Sequence, residues 1–480
     1  MMVVMVDLEV LVRAEVSRFV TTTDVPGVAV AVAAGGLVVN AAHGVLNVDT
    51  QHPVDWKTLF PIQSITKVFT ATLVMQLVDA GLIRLAAPVQ EYLPEFHTQD
   101  LEASAKITIE HLLTHTGGFE GDLWEPTTSN SNALDRFVRD LVANADQYHR
   151  PGAVFSYCSA GFGVLGRLVE VVRGITYEEA LRTFLLVPLG VERVAFSASQ
   201  ALAFATAIGH VRADPSSPLA PTHEWALMPP SNPAAGNQLA MNARGLLALG
   251  KMFLSEGVAP NGERLLSRAS ATQMLQPYIK HRSRPGTESW QGLGWRLPRP
   301  GLAEHGGGAP GVAALMTIAP DRDVAVVVLT NSDAGGALAG QLSNALLFEL
   351  AGIEPESAPA VPASDRLVSD AAPYRGVYLS RQTQFDVSSG RDGRLWLTEQ
   401  PLNEAAAMHR IEGTEARAAR NEIRPNGDGT FSVVAGTQVT RLVSFLDPAP
   451  DGAFRLFAGE RVALRRNDPQ TSPSWVGGNA

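Results

Sequence analysis

Two β-branched hairpin patterns, one near each end of a long helical middle, constrain this 480-residue chain more than any other feature. In the first, residues 28–33 run out, Gly35-Gly36 turns and residues 37–42 run back. In the second, residues 312–318 and 324–330 flank a Pro320-Asp321 turn. Alternating or β-branched runs split by tight Gly or Pro turns read as antiparallel hairpins. Between them a helical pattern runs over residues 64–80. A loop-rich, helical region punctuated by Pro88 and Pro94 then extends to about residue 242, and strand texture returns near residue 290. A helix is expected over residues 337–350 and an amphipathic one in the first sixteen residues, where Asp7 and Glu9 interrupt an apolar run. Hairpins at both ends of a helical middle predict an α+β domain whose single antiparallel sheet is completed by both of its ends.

That domain is expected over residues 1–353. Residues 354–365 carry Pro355, Pro359 and Pro362 among small side chains and read as a semi-rigid linker. Residues 366–480 hold short strand-like runs at 376–379, 394–397, 431–435, 439–445, 454–457 and 462–464, with turn signals such as Asn426-Gly427 between them. A small all-β barrel or sandwich is the expected fold.

Composition excludes several function classes. The chain is 45% hydrophobic and 18% charged, which is globular rather than disordered. Its formal net charge is -10 and it has no basic block, so no nucleic-acid partner is expected. No apolar run reaches the length of a membrane span. The first residues lack a basic segment, and the single cysteine, Cys158, rules out an internal disulfide. These features point to the cytoplasm.

Chemistry concentrates in three short motifs. Ser64-Ile65-Thr66-Lys67 opens the first long helix, and residues three apart share a helix face. The lysine amine therefore sits beside a hydroxyl that is a weak nucleophile until a base takes its proton. A helix start also supplies free N–H groups for a developing oxyanion. Alone, S-x-x-K is a weak signal. Tyr157-Cys158-Ser159 follows a Pro151-Gly152 turn and precedes a helix. Tyr157 is placed to relay a proton and Ser159 to bond the lysine or a substrate amide; the plain alternative is a buried, satisfied tyrosine. His305-Gly306-Gly307 enters a strand, where the glycines let a substrate backbone lie close and His305 offers a cation or a hydrogen-bond donor; the plain alternative is a flexible turn.

In order and separation these three motifs resemble those of penicillin-binding proteins and class C β-lactamase-like serine hydrolases. The segment from Phe60 to Ala71 resembles that family's nucleophile segment. His111-Leu112-Leu113-Thr114-His115-Thr116-Gly117-Gly118, Gly292-Leu293-Gly294-Trp295 and Leu329-Thr330-Asn331 match further positions. The resemblance spans residues 20–350. It implies a β-lactamase/transpeptidase-like domain, followed here by a lipocalin-like β domain, and catalysis through an acyl-Ser64 ester with Lys67, Tyr157 and His305 as partners. Ser159, Gly306 and Gly307 would contact substrate. Two departures stand out: Ser159 replaces the commoner asparagine, and His305 replaces a frequent lysine, which points to the class C, esterase and D-aminopeptidase branch.

No cofactor or metal is expected. His111 and His115 lie four apart, but the glutamate of a zinc-protease motif is missing, since residue 112 is leucine. Cys158 reads as packing beneath the site. Arg461, Arg465 and Arg466 form either a solvated face or a substrate-carboxylate contact if the β domain folds over the cleft, Arg461 being the favoured candidate. With a cytoplasmic setting, the expected donor is a peptidyl thioester or ester, free or presented on a carrier protein. The sharpest expectation is a thioesterase that releases and macrocyclises a nonribosomal peptide. The alternatives are an esterase or D-amino-acid-specific peptidase, and a catalytically silent binding protein on this fold.

Overall fold

The computed structural model describes residues 2–128, 130–213, 216–281, 289–356, 360–363, 366–403 and 419–466. Its main sheet has eight antiparallel strands, in the spatial order Leu37–Gly44, Gly27–Ala34, Val324–Thr330, Val312–Ala319, Ala303–Ala309, Arg296–Leu297, Ser289–Gln291 and Ile279–His281. The two expected hairpins meet between its second and third strands, where Val28 pairs with Thr330 and Ala34 with Val324. Both ends of the domain thus complete one sheet.

Strand Gly27–Ala34 shows why the sheet is buried on both faces. Side chains alternate across a strand, so Ala29, Ala31 and Ala33 enter the core shared with the helical region, while Val28, Val30 and Val32 enter a second core on the opposite face. That second face is covered by the terminal helices, Met2–Val20 and Gly335–Ala351. The first presents Leu8, Val12, Val16 and Val20, a stripe of period four on one side of a helix. The last presents Leu338, Leu342 and Leu346. The small alanines on the other face let the helices of the middle region approach the sheet closely. Among them is Thr66–Asp79, which is buried from Thr66 to Met75 and at Leu77 and so runs through the interior rather than along the surface.

The second unit is a closed eight-stranded barrel, sealed by pairing of Tyr378 with Arg465 and Leu379 with Leu464. Tyr374, Tyr378, Phe431, Phe445 and Phe457 meet edge-to-face or tilted inside it. An eight-stranded barrel is just wide enough for side chains to fill, and these rings occupy that interior. Parts of the expected linker, residues 357–359 and 364–365, lie outside the described residues.

The barrel is docked, not tethered. Leu456, Ala458, Val462 and Leu464 form a small apolar cluster with Tyr148 of the first unit. Around it, Arg461 pairs with Asp122 and Arg381 with Glu125. Gln382 Nε2 donates to the Asp122 carbonyl at 3.1 Å, the Arg381 N–H to Glu120 at 3.0 Å and the Val462 N–H to Ser156 Oγ at 3.1 Å. Burial and the neighbouring Asp122 charge push the Glu120 carboxyl above its ordinary range.

Leu342 lies at the centre of the terminal-helix core and is fully buried. Leu342→Ala should therefore cost about 2–5 kcal/mol in urea denaturation. Phe348→Ala, at a position on the same helix that is 41% exposed, should cost much less.

Candidate active site

Ser64 sits in a 3₁₀ turn, Gln63–Ile65, between the short strand Phe60–Pro61 and the buried helix Thr66–Asp79. The turn is held by two close backbone approaches. A Cβ at position 307 would stand 2.1 Å from the Ile62 carbonyl oxygen, and one at position 236, where φ is +102°, would stand 2.0 Å from that of Gln63. Only glycine fits at either place. The third motif and the 232–236 loop therefore press on the nucleophile turn from two sides.

One helical turn on, Lys67 is 1% exposed. Its Nζ donates to Ser64 Oγ at 3.1 Å and to the Ala235 carbonyl at 2.9 Å. Ala235 is fixed in turn: its N–H donates to Asn232 Oδ1 at 3.2 Å, and Asn232 Nδ2 donates to the Ser159 carbonyl at 3.1 Å. Ser159 thus reaches Lys67 through its backbone and two intermediaries. Of the two bonds expected from its hydroxyl, to the lysine or to a substrate amide, the one to the lysine is not formed among the described residues.

Tyr157 lies in a box of rings and cations. Its ring centroid is 4.5 Å from that of His115 and 6.5 Å from that of His305. Lys67 Nζ is 5.0 Å away, and the guanidinium carbons of Arg461 and Arg296 are 5.1 and 5.4 Å away. The tyrosine meets Lys67 through its ring face; among the described residues its hydroxyl makes no hydrogen bond to Ser64 or Lys67. The next residue, Cys158, caps the helix Ser159–Arg173, its Sγ accepting from the Gly161 N–H at 3.3 Å. Burial pushes its thiol up to about 12, so it packs rather than attacks.

His305 stands within strand Ala303–Ala309 rather than at its start, and is 2% exposed. Its Nδ1 lies 2.7 Å from the Gly306 carbonyl. Burial first, then the Arg296 and Lys67 charges, push the imidazole down to about 3. Of the two expected roles for His305, the cationic one is therefore excluded: the ring is neutral. Gly306 is exposed and Gly307 faces inward onto the nucleophile turn. The adjoining strand Arg296–Leu297 pairs with this one only at Glu304, so beyond it the strand edge is open, among the described residues, to an extended chain.

His111 and His115 do not converge. His111 Nδ1 closes a capping box by accepting from the Thr108 N–H at 3.2 Å. His115, past the helix end in a left-handed conformation with φ +57°, accepts the Cys158 N–H at 3.0 Å. The arginine group also divides. Arg461 comes beside Tyr157 with its charge engaged by Asp122, while Arg465 bonds the Arg375 carbonyl and the Arg466 N–H bonds Val377 at the barrel seam. Arg296, Glu460, Asp122 and Ala235 join the site without having been anticipated. Arg296 directly follows the recognised Gly292-Leu293-Gly294-Trp295 stretch, and that adjacency was the one available signal.

Two buried neutral histidines give a signed pH dependence. Burial, with Lys67, His305 and Arg296, also holds His115 well below its ordinary value. Unfolded histidines take up protons below about pH 6.5, while the folded ones do not. Stability is therefore fully present above that pH and falls as pH drops toward 3, by about 1.4 kcal/mol per unit for each histidine. His305→Asn should flatten this acid limb in urea denaturation between pH 6.5 and 4. An unchanged limb would mean that His305 is charged in the folded protein.

The geometry has counterparts among known proteins. The Beta-lactamase family model matches residues 12–348. Penicillin-binding protein 4 of Amycolatopsis lactamdurans is 37% identical over 368 residues, which is 75% of this chain and 94% of that protein. Among solved structures, SurE with D-Leu aligns with a TM-score of 0.74 at 25% identity, covering 96% of this chain and 100% of SurE. The octameric penicillin-binding protein homologue from Pyrococcus abyssi aligns with a TM-score of 0.61 at 22% identity, covering 95% and 99%. A D-amino acid amidase from Ochrobactrum anthropi aligns at 0.60 and 22%, covering 71% and 98%. No described helix is long and apolar enough to cross a membrane. A family match over most of the chain, and a relative this similar along nearly its whole length, mean that the protein belongs to the β-lactamase family of penicillin-binding-protein-like serine hydrolases.

Proposed function

We propose that the protein transfers acyl groups through an ester on Ser64, and that its donor is a peptide. The observation that carries the first part is the 3.1 Å contact between Lys67 Nζ and Ser64 Oγ in a buried setting. Ser64 Oγ attacks the donor carbonyl carbon as Lys67 takes the hydroxyl proton. The developing oxyanion is met by the positive end of the buried helix that follows Ser64. The bond to the leaving group breaks as that group receives a proton by way of Tyr157. Water, an amine or an alcohol then attacks the acyl-Ser64 ester and regenerates the hydroxyl.

The peptidyl part rests on two supports. SurE, similar along almost the full length of this chain, holds D-leucine in its structure. The open strand edge at 305–309 suits an extended backbone, with Arg461, paired to Asp122, beside the cleft. Within this class we favour a thioesterase that receives a peptidyl thioester in the cytoplasm, from a carrier protein, and releases it as a macrocycle. Such a reaction needs walls that keep water from the acyl-enzyme, and the docked barrel furnishes one. Cleavage of small esters or of D-amino-acid peptides is the second reading, favoured by the neutral His305 in the place of a lysine.

Ser64→Ala should abolish both turnover and the acyl adduct seen by intact-mass spectrometry; an adduct that persists on this variant would refute the nucleophile. Lys67 acts as a neutral base; Lys67→Arg puts a permanently charged group there that cannot accept the proton, and should lose about 10²–10⁴-fold in rate. Full activity would reduce the lysine to an electrostatic anchor. The donor class is tested with an N-acetylcysteamine thioester of a linear peptide ending in a D-residue, set against p-nitrophenyl acetate. A peptidyl-Ser64 adduct followed by a cyclic product is expected. Turnover of the small ester without any peptidyl adduct would favour the esterase.

A further inference from the structure

His305 is neutral, so the positive charge on the strand side of the cleft has another source. Arg296 supplies it. This residue pairs across the sheet with Glu304, next to His305, and its guanidinium carbon lies 5.4 Å from the Tyr157 ring centroid. Its side chain is 25% exposed, and its Nε–H is buried without a hydrogen-bond partner. What orients it comes from the other unit. Glu460, in the turn between the last two barrel strands, pairs with Arg296 through its carboxylate and accepts the Tyr157 N–H through its backbone carbonyl at 2.9 Å. A single barrel residue therefore holds the Arg296 cation and the Tyr157 backbone together. Burial works to neutralise Glu460, but the Arg296 and Arg461 charges outweigh it and hold the carboxyl at about 2.

We infer that Glu460 and Arg296 are positioning residues of the acyl-transfer site: the barrel carboxylate holds the Arg296 cation against Tyr157, where it favours the proton-accepting form of the Ser64–Lys67–Tyr157 unit. The inference rests on the reading of Ser64 as nucleophile. Its consequence is that the barrel serves the chemical step itself, even on a donor too small to touch it. The other charged or titratable groups facing this corner include Lys67, His115, His281, Glu304, His305 and Arg461, the last already paired with Asp122. His115 and His305 are neutral and Arg461 is engaged, so none of these three replaces the Arg296 charge.

The test uses the full chain and p-nitrophenyl acetate, with Glu460→Gln, Arg296→Gln, Arg296→Lys and the Glu460→Gln/Arg296→Gln double variant. Removing a cation beside a base raises the pH at which the base form appears. The acid limb of kcat/KM should therefore move up by about one pH unit in Glu460→Gln and Arg296→Gln, and kcat at neutral pH should fall about tenfold or more with little change in KM. Arg296→Lys should recover part of the loss. The double variant should be no worse than Arg296→Gln, because Glu460 acts through Arg296. Additive losses, a change in KM alone, or an unmoved pH limb would overturn the inference. If Glu460→Gln fails to fold, as judged by near-ultraviolet circular dichroism, the Arg296→Gln and Arg296→Lys pair decides it by the same limb. Fluorophosphonate labelling of the parent, mapped by peptide mass, separates the two failures. A label away from Ser64 overturns the nucleophile and this inference with it. A label on Ser64 with unmoved profiles overturns the inference alone.

Discussion

The buried contact of the Lys67 amine with Ser64 Oγ and the Ala235 carbonyl is the point on which the rest of this molecule turns. A polar group out of water is tolerated only where hydrogen bonds replace its hydration. Here the replacement recruits distant segments. The 232–236 loop brings the carbonyl, Asn232 secures that loop to the Ser159 helix start, and Gly236 and Gly307 allow the backbone of two elements to close on the turn. The eight-stranded sheet and its two apolar cores then act as the frame that keeps these segments at hydrogen-bonding distance of each other.

A second consequence concerns charge. The first unit places Lys67 and Arg296 around one tyrosine, and the barrel adds Arg461 together with the Glu460 carboxylate, while Asp122 and Glu120 face the barrel from the other side. Cations this close repel unless anions are interleaved with them. The interface interleaves them, so docking and site electrostatics are one arrangement. Removing a single partner from this partly exposed set leaves its counter-charge unpaired beside the others.

The parts of this design that were legible in the sequence are the locally encoded ones. The hairpins at residues 28–42 and 312–330 announced themselves through β-branched runs and Gly or Pro turns, and each lies within a residue or two of its observed strands. The Ser64 and Lys67 spacing is a property of one helical turn. Barrel strands Thr383–Ser389 and Ala419–Pro425 went unrecognised because their sequences, TQFDVSS and ARNEIRP, are polar and gain their strand character from neighbours in a closed ladder. The pairings of Arg296 with Glu460 and of Arg461 with Asp122 span 164 and 339 positions, and no local pattern encodes contacts at that range. The neutrality of His305 was equally out of reach, since it depends on how deeply the strand is covered and on which cations face it.

The central strand Gly27–Ala34 has a partner on one side only until residues 324–330 arrive, and the box around Tyr157 lacks its last wall until residues 460–462 arrive. On a ribosome, where the chain emerges from its N-terminus at a few residues per second, the order of emergence becomes an order of assembly. The sheet can close only when about two thirds of the chain is out, and long-range pairings of this kind are slow to form. The Ser64 turn is therefore made early as sequence but finished late as structure. A nascent or prematurely terminated chain carries Ser64 and Lys67 without the corner that Glu460 and Arg461 complete.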